Sequence, residues 1–480
     1  MDRREFLKGL AALAALPSLP GYLTAKETPA WALGFQGVTE DLPPLTMDVS
    51  GVFPDACHGR FYRNGPALYE RSGQRYQHWF DPDGMVQAFQ IDGNGAQHQG
   101  RFVRTRRFVE EEKAARFLYN GAGTLFEDSQ PVRNNESTNV ANINIQPLNG
   151  ELLALWEAGS AYRIDPDSLE TRGMLTFDAA LQGVPFSAHP HFDDHGDLWN
   201  IGSVPFAGRP TLVLYHVGAN GKLKKSSAAR LDFPGYMHDF VLTPRYLVAL
   251  NTSVVQAEGS GFVNKMAWQP ERPSQLLVFD REDFALKASI EVPATFVFHF
   301  GNAWEEGDLT HFTACAYPNA DLVKVGMHRL VQQLQGPYHQ PPELVRYSLS
   351  VEKGRASIAP LGADMEFPGF DMRQPFAAQP LFGAGGQASS ESELASAVVR
   401  VDPRSGNTQQ FNYGDGVVVE EPQYIPGPEG GYLLHSYLDY RRERSGVAVI
   451  QARRLSDGPL ATAEMARILP LGFHGCFLPA

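Results

Sequence analysis

Gly472-Phe473-His474-Gly475-Cys476-Phe477 lies near the end of a 480-residue chain, yet it does not read like a tail. A histidine six residues from a C-terminus usually sits on a frayed segment. His474 is instead set among Leu469, Leu471, Phe473, Phe477 and Leu478, a run too apolar to be left in water. It reads as a strand that must dock on structure formed earlier in the chain. Three upstream histidines have similar apolar or glycine- and proline-marked settings. They are His189 in Phe186-Ser-Ala-His-Pro190, His238 in Pro234-Gly-Tyr-Met-His-Asp-Phe240, and His299 in Phe296-Val-Phe-His-Phe-Gly-Asn-Ala303. We expect these four to converge on one metal ion, at a site that exists only once the last strand is in place.

The fold that could bring them together is legible in the strands. From about Trp31 onward the chain shows short β-like runs and little helical periodicity. Examples are Glu151–Trp156, Thr211–Tyr215, Tyr246–Leu250, Leu276–Phe279 and Val447–Ile450. Explicit turn signals separate such runs, among them Asp92-Gly-Asn-Gly95, Asn149-Gly150, Asn220-Gly221 and Asp402-Pro-Arg-Ser-Gly406. Short strands at near-regular spacing over hundreds of residues point to a closed all-β array. A β-propeller suits this length better than one sandwich or barrel. No crisp repeat fixes the blade number. The small, polar stretch 383–397 reads as a mobile surface loop. On a propeller the central strands of different blades face one axis, so distant histidines can meet there. Spacing alone offers no such support, since the four are not arranged like a zinc finger or a His-Glu-x-x-His helix. His191, beside His189 in His-Pro-His, competes for the ligand role.

A net charge of −13 argues against nucleic acid as a partner, because phosphate binding needs a basic surface. Cys57, Cys315 and Cys476 cannot form a disulfide framework, and we expect no bridge. Arg3-Arg4-Glu5-Phe6-Leu7-Lys8, followed by an uncharged run to Ala25, resembles a twin-arginine export signal. Residues 1–25 are therefore expected to be a signal and 26–480 one catalytic domain. The expected location is the periplasm or a membrane surface of a bacterium, with a cytoplasmic protein as the alternative.

Further motifs carry a family resemblance. Phe61-Tyr-Arg-Asn-Gly-Pro66 and Trp79-Phe-Asp-Pro-Asp-Gly-Met-Val86 resemble the N-terminal signature of carotenoid cleavage oxygenases. Ala188-His-Pro190, Met237-His-Asp-Phe240, Val297-Phe-His299 and Leu471-Gly-Phe-His-Gly475 resemble that family's ligand motifs in order, and Glu421-Pro422 its late Glu-Pro motif. The resemblance implies a seven-bladed β-propeller with a loop cap over a central iron site. It implies Fe(II), one per chain, held by His189, His238, His299 and His474, with O2 as co-substrate. It further implies that three of these imidazoles are oriented by Glu157, Glu366 and Glu421, with Glu420 an adjacent alternative. Which glutamate serves which histidine is open, and His189 is expected to go without one.

Within the family, the branch that cleaves hydroxystilbenes or isoeugenol-type phenols places a lysine before the first glutamate. Here that residue is Trp156, and the local text looks most like bacterial apocarotenoid oxygenases. One departure is Asn142-Ile143-Asn144, where that branch usually reads Asn-Thr-Asn. The resemblance thus implies an Fe(II) dioxygenase that splits a double bond of a carotenoid or apocarotenoid into two aldehydes or ketones, with retinal as product if the central bond is chosen. The alternatives are a stilbene or phenylpropene oxygenase, and a propeller that binds a carotenoid without turnover. An apolar polyene needs an aromatic-walled tunnel, for which Trp156, Tyr236, Phe298 and Ile143 are the candidates. The segment Val254–Trp268 resembles the family's membrane-dipping loop and is expected to touch a bilayer. No obligate protein partner is evident.

Overall fold

The computed structural model describes residues 28–206, 208–259, 261–334, 340–389 and 392–480, so the export signal expected over 1–25 lies outside the described residues. Seven antiparallel sheets make the blades of a propeller, as the resemblance implied. Blades two to seven open on the strands Asn144–Leu148, His191–Phe192, Phe240–Leu242, Phe296–Glu306, Glu366–Gly369 and, beside Val417–Val419, Gln423–Ile425. These strands stand nearest the axis. Their sheets end on edges such as Leu223–Arg230, where half-buried and exposed residues alternate as on a one-sided strand.

Blade one takes its central strand from the far end of the chain. Gly475–Pro479 pairs with Gly59–Leu68, placing Phe477 opposite Phe61 and Gly475 opposite Arg63. The approach is close: a Cβ on Gly65 would stand 2.3 Å from Gly472 Cα, so no side chain fits between the two segments. The seam is sewn a second time on the outside, where Asp48–Gly51 adds to Pro459–Met465 at the edge of blade seven. Closing the ring buries Phe473, whose ring packs on Trp79 and Phe80 at centroid distances of 5.0 and 5.8 Å. Burial of one such side chain stabilises by roughly 1.5–3 kcal/mol, so the closing strand is held by its apolar residues as much as by its ladder.

One expectation needs correction. Residues 383–397 are not a loose loop: Leu381–Ser389 and Ser392–Val401 form a hairpin in blade six. Its small residues serve close packing, since a Cβ on Gly385 would meet Asp364 O at 2.3 Å. The apolar side chains of Val254–Trp268 turn largely inward. Val254, Val263 and Met266 are buried, Val255, Phe262 and Trp268 half-buried, and it is Asn264 and Lys265 that face out. Cys57, Cys315 and Cys476 are free and buried.

Candidate metal centre

Each of the seven blades sends one residue of the expected set toward the axis. Going round from blade one they are His474, Glu157, His189, His238, His299, Glu366 and Glu421. Each histidine and its glutamate partner therefore come from different blades, and local sequence has no means of pairing them. The structure does. His238 Nδ1 donates to Glu157, His299 Nδ1 to Glu366 Oε2 at 2.5 Å, and His474 Nδ1 to Glu421 Oε1 at 2.8 Å. Among the described residues no carboxylate hydrogen-bonds the His189 ring; its backbone N–H donates to Ser187 Oγ at 3.2 Å.

These bonds fix the chemistry of the opposite ring nitrogen. An imidazole that gives its Nδ1 proton to a carboxylate presents a bare Nε2 lone pair. Yet His299 Nε2 and His474 Nε2 lie 3.1 Å apart, and His189 Nε2 lies 2.8 Å from His238 Nε2. All four rings offer a ligand atom within 4.8 Å of every other, and all four are buried. Two lone pairs at 3.1 Å repel unless a cation lies between them. Nitrogens bonded at about 2.1 Å to one ion stand ~3 Å apart when adjacent. The donor set therefore fits a single metal ion, and neutral imidazoles suit iron among others.

Burial and neighbouring charges act differently on different members of the set. Burial, with the other imidazoles close by, holds His189 well below the ordinary histidine range. Burial also lowers His474, against the pull of Glu421. At His299 burial acts the same way, but the Glu366 carboxylate outweighs it and the ring is raised. Burial would raise Glu421, but His474 and Arg63 hold it below the usual carboxylate range. Arg63 Nη1 donates to Glu421 Oε2 at 3.0 Å, and the Gly475 N–H donates to the same oxygen at 2.8 Å. Asn64 Nδ2 donates to Ala141 O and Asn144 O, and its backbone N–H to His474 O. The Arg-Asn of the N-terminal signature thus holds both Glu421 and the closing segment. Glu420, the adjacent alternative, accepts the Gly472 N–H at 2.6 Å and Ser436 Oγ at 2.5 Å, and does not touch a histidine.

Two cavities meet at the histidines. Above lies an apolar chamber of about 160 Å³, whose walls include Trp79, Phe80, Ile143, Phe298 and Phe473. Leu322, Met327 and Leu330 roof it from the helical segment Leu322–Gly326 and Met327–Val331. Below lies a cavity of about 770 Å³, whose walls include Asn144, Gln146, His191, Asp239 and Gln423.

Of the four tunnel candidates, Phe298 and Ile143 line the chamber, with the Phe298 ring 4.8 Å from that of His238. Trp156 and Tyr236 line neither cavity. Trp156 is half-buried against the cluster of Ile143 and Phe186, because neighbours along an extended chain point to opposite sides and Glu157 takes the inward side. The Tyr236 hydroxyl donates to Glu157 Oε1 at 2.5 Å, so its polar end braces that carboxylate. His191 is not a member of the cluster; its Nε2 donates to Asp239 Oδ1 at 2.9 Å.

Sequence reasoning missed Tyr317, which lines the chamber and hydrogen-bonds Glu366. It also missed Phe367, which lines both cavities with its ring 5.2 Å from those of His299 and His474. Phe367 has φ +56°, a left-handed conformation that costs a bulky residue on the order of 1–3 kcal/mol. Its N–H donates to Glu366 Oε2 at 3.0 Å, which ties the strained residue to the carboxylate behind His299. The only sequence sign of it was its place in the Glu-Phe-Pro triplet.

Comparison with known proteins agrees with this geometry. The sequence profile described as retinal pigment epithelial membrane protein matches residues 35–479. The apocarotenoid-15,15'-oxygenase of Synechocystis sp. is 30% identical over 93% of this chain and 95% of that one. The isoeugenol monooxygenase of Pseudomonas nitroreducens is 27% identical over 90% and 94%. The carotenoid 9,10(9',10')-cleavage dioxygenase 1 of Phaseolus vulgaris is 28% identical over 92% and 88%. Among solved structures, cobalt-substituted Synechocystis apocarotenoid oxygenase superposes with a TM-score of 0.82 at 28% identity, covering 94% of this chain and 98% of that one.

Proposed function

This chain belongs to the family of retinal pigment epithelial membrane protein and the carotenoid oxygenases, and from that premise we propose that it cleaves a carbon–carbon double bond of an apocarotenoid or carotenoid with O2, giving two carbonyl products. The observation that carries the proposal is the buried set of four converging imidazoles, three of them tied to carboxylates, opening onto an aromatic chamber. His189, His238, His299 and His474 would hold Fe(II). Bound there, the ion would supply a centre for binding and activating dioxygen. The chain's own residues do the rest. The carboxylates keep each Nε2 turned inward, while Phe80, Phe298 and Phe473 offer flat walls to a conjugated chain and exclude water. Holding one double bond against the centre converts a chance encounter into a positioned one.

The second reading is cleavage of a stilbene or phenylpropene, favoured by the isoeugenol monooxygenase relative. Trp156, lying off the chamber, contributes no ammonium to hold a phenolate there. Aerobic turnover of the Fe(II)-loaded protein on an apocarotenal and a hydroxystilbene, side by side, separates the two. Aldehydes from the apocarotenal, absent in His299→Ala, are expected. Products from the stilbene alone would overturn the substrate class, and no product with iron bound would favour a carotenoid-binding propeller.

Arg3-Arg4 supports export by the twin-arginine route, and fractionation of an Arg3→Lys, Arg4→Lys double variant tests it. Peripheral membrane contact through Val254–Trp268 rests on half-exposed Phe262 and Trp268, and on Leu125, which packs at Gly261 and is 58% exposed. Co-flotation with liposomes, lost on Phe262→Ser with Trp268→Ser, is the expected result.

A further inference from the structure

The histidine centre can be reached from above or from below, and the two approaches suit different travellers. The chamber above presents Phe80, Ile143, Phe298 and Phe473. Its walls are mostly apolar, and the three carboxylates among them, Asp364, Glu366 and Glu420, already have partners; a divalent ion crossing it would give up hydration water for little in return, and taking a charge out of water without compensation costs several kcal/mol or more. The cavity below is about 770 Å³ and offers Gln146, Gln423, His191 and Asp239 as replacements for that water. It is bounded outside by Met372, 45% exposed, and inside by His189, His299 and His474.

Its wall carries a fourth carboxylate–imidazole pair. His191 Nε2 donates to Asp239 Oδ1 at 2.9 Å. Asp239 is itself fixed, with Oδ1 accepting the Phe240 N–H at 2.7 Å and Oδ2 the Phe300 N–H at 2.8 Å. The arrangement repeats the one behind His238, His299 and His474: a carboxylate takes the proton of one ring nitrogen and leaves the lone pair of the other for a metal. Here the ring stands outside the four-histidine group, with its side chain 18% exposed, two residues along the chain from His189.

We propose that the lower cavity is the path by which the metal ion reaches the centre, and that His191, oriented by Asp239, takes the ion on its way in. The proposal rests on the metal reading of the four histidines and is independent of the organic substrate. A way-station of this kind lowers the barrier in both directions. Removing it slows binding and release together and leaves the affinity where it was, which a merely structural histidine would not do.

The test uses the full-length protein stripped of metal and mixed with Co(II), with uptake followed by the visible absorbance of the bound ion. His191→Gln is expected to slow both uptake and release at least tenfold, at unchanged affinity and one ion per chain. A second arm does not depend on that variant folding. Met372→Cys carrying a bulky maleimide should slow uptake, while the same label on Val325→Cys, 39% exposed on the roof of the upper chamber, should not. The native cysteines are all buried, so the label is selective. Unchanged uptake in the Met372 arm, or slowed uptake in the Val325 arm, overturns the route. Failure of the unlabelled protein to bind cobalt at all overturns the metal reading, and the route with it.

Discussion

The chamber above the histidines and the cavity below them share His299, His474 and Phe367 as lining residues, and nothing else. One is small and mostly apolar, the other several times larger, with amides, His191 and the carboxylates of Asp239 and Glu421 in its wall beside the metal-site histidines. A single apolar pocket could hold a polyene but would offer no polar way in for a charged ion. A single polar funnel would admit water to the substrate. The propeller has both because its axis runs through the whole ring, and the plane of histidines divides that axis in two. Phe367 completes the division, held in a strained left-handed conformation by its bond to Glu366.

The largest effect on this division should come from deleting residues 471–480. That removes His474, which faces both cavities, together with the strand that closes blade one. The truncated chain is expected to hold no metal and to lose its cooperative thermal transition, read by calorimetry. A truncated chain that melted like the full one would show that ring closure does not depend on this strand.

Glu421→Gln strikes the same seam more gently. It keeps the shape but removes the charge that orients His474 and pairs with buried Arg63. Loss of such an outer partner typically costs 10–100-fold in metal affinity, and competition with a chelator should show a weakening of that order. Affinity equal to that of the unaltered protein would mean that the Nδ1 bond does not orient the ring.

Phe367→Ala attacks the partition itself. With the ring gone the two cavities should merge, so turnover should fall about tenfold in kcat/KM while metal content stays at one per chain. Metal analysis beside steady-state kinetics checks this. Loss of metal instead would make Phe367 a support of His299 and not a wall.

Ile143→Thr should do least. It touches only the upper chamber and replaces a methyl-bearing branch by a hydroxyl near the centre. A change of a few-fold in kcat, with unchanged metal affinity, is expected. A large effect on metal affinity would mean that this residue helps shape the histidine cluster as well as the chamber.

Local sequence determined a good deal here. Alternating apolar runs and turn residues such as Asn149-Gly150, where φ is +51° and +79°, fix strands and hairpins because both act over a few residues. The histidine and glutamate motifs picked out the residues that meet on the axis. What sequence could not say was decided by contacts between blades. Glu157 lies two blades from His238, and Glu421 joins His474 across the seam where the two ends of the domain meet, so the pairings are set by closure of the ring. Trp156 and Tyr236 were placed in the substrate wall for their proximity in sequence to site residues. A side chain's direction depends on strand pleat and on what packs behind it, and both turned elsewhere. The glycines and alanines of 383–397 read as looseness, yet they form a hairpin because the neighbouring strand comes too close for anything larger. The two cavities have no sequence signature at all, since each is a space left between blades that are hundreds of residues apart in the chain.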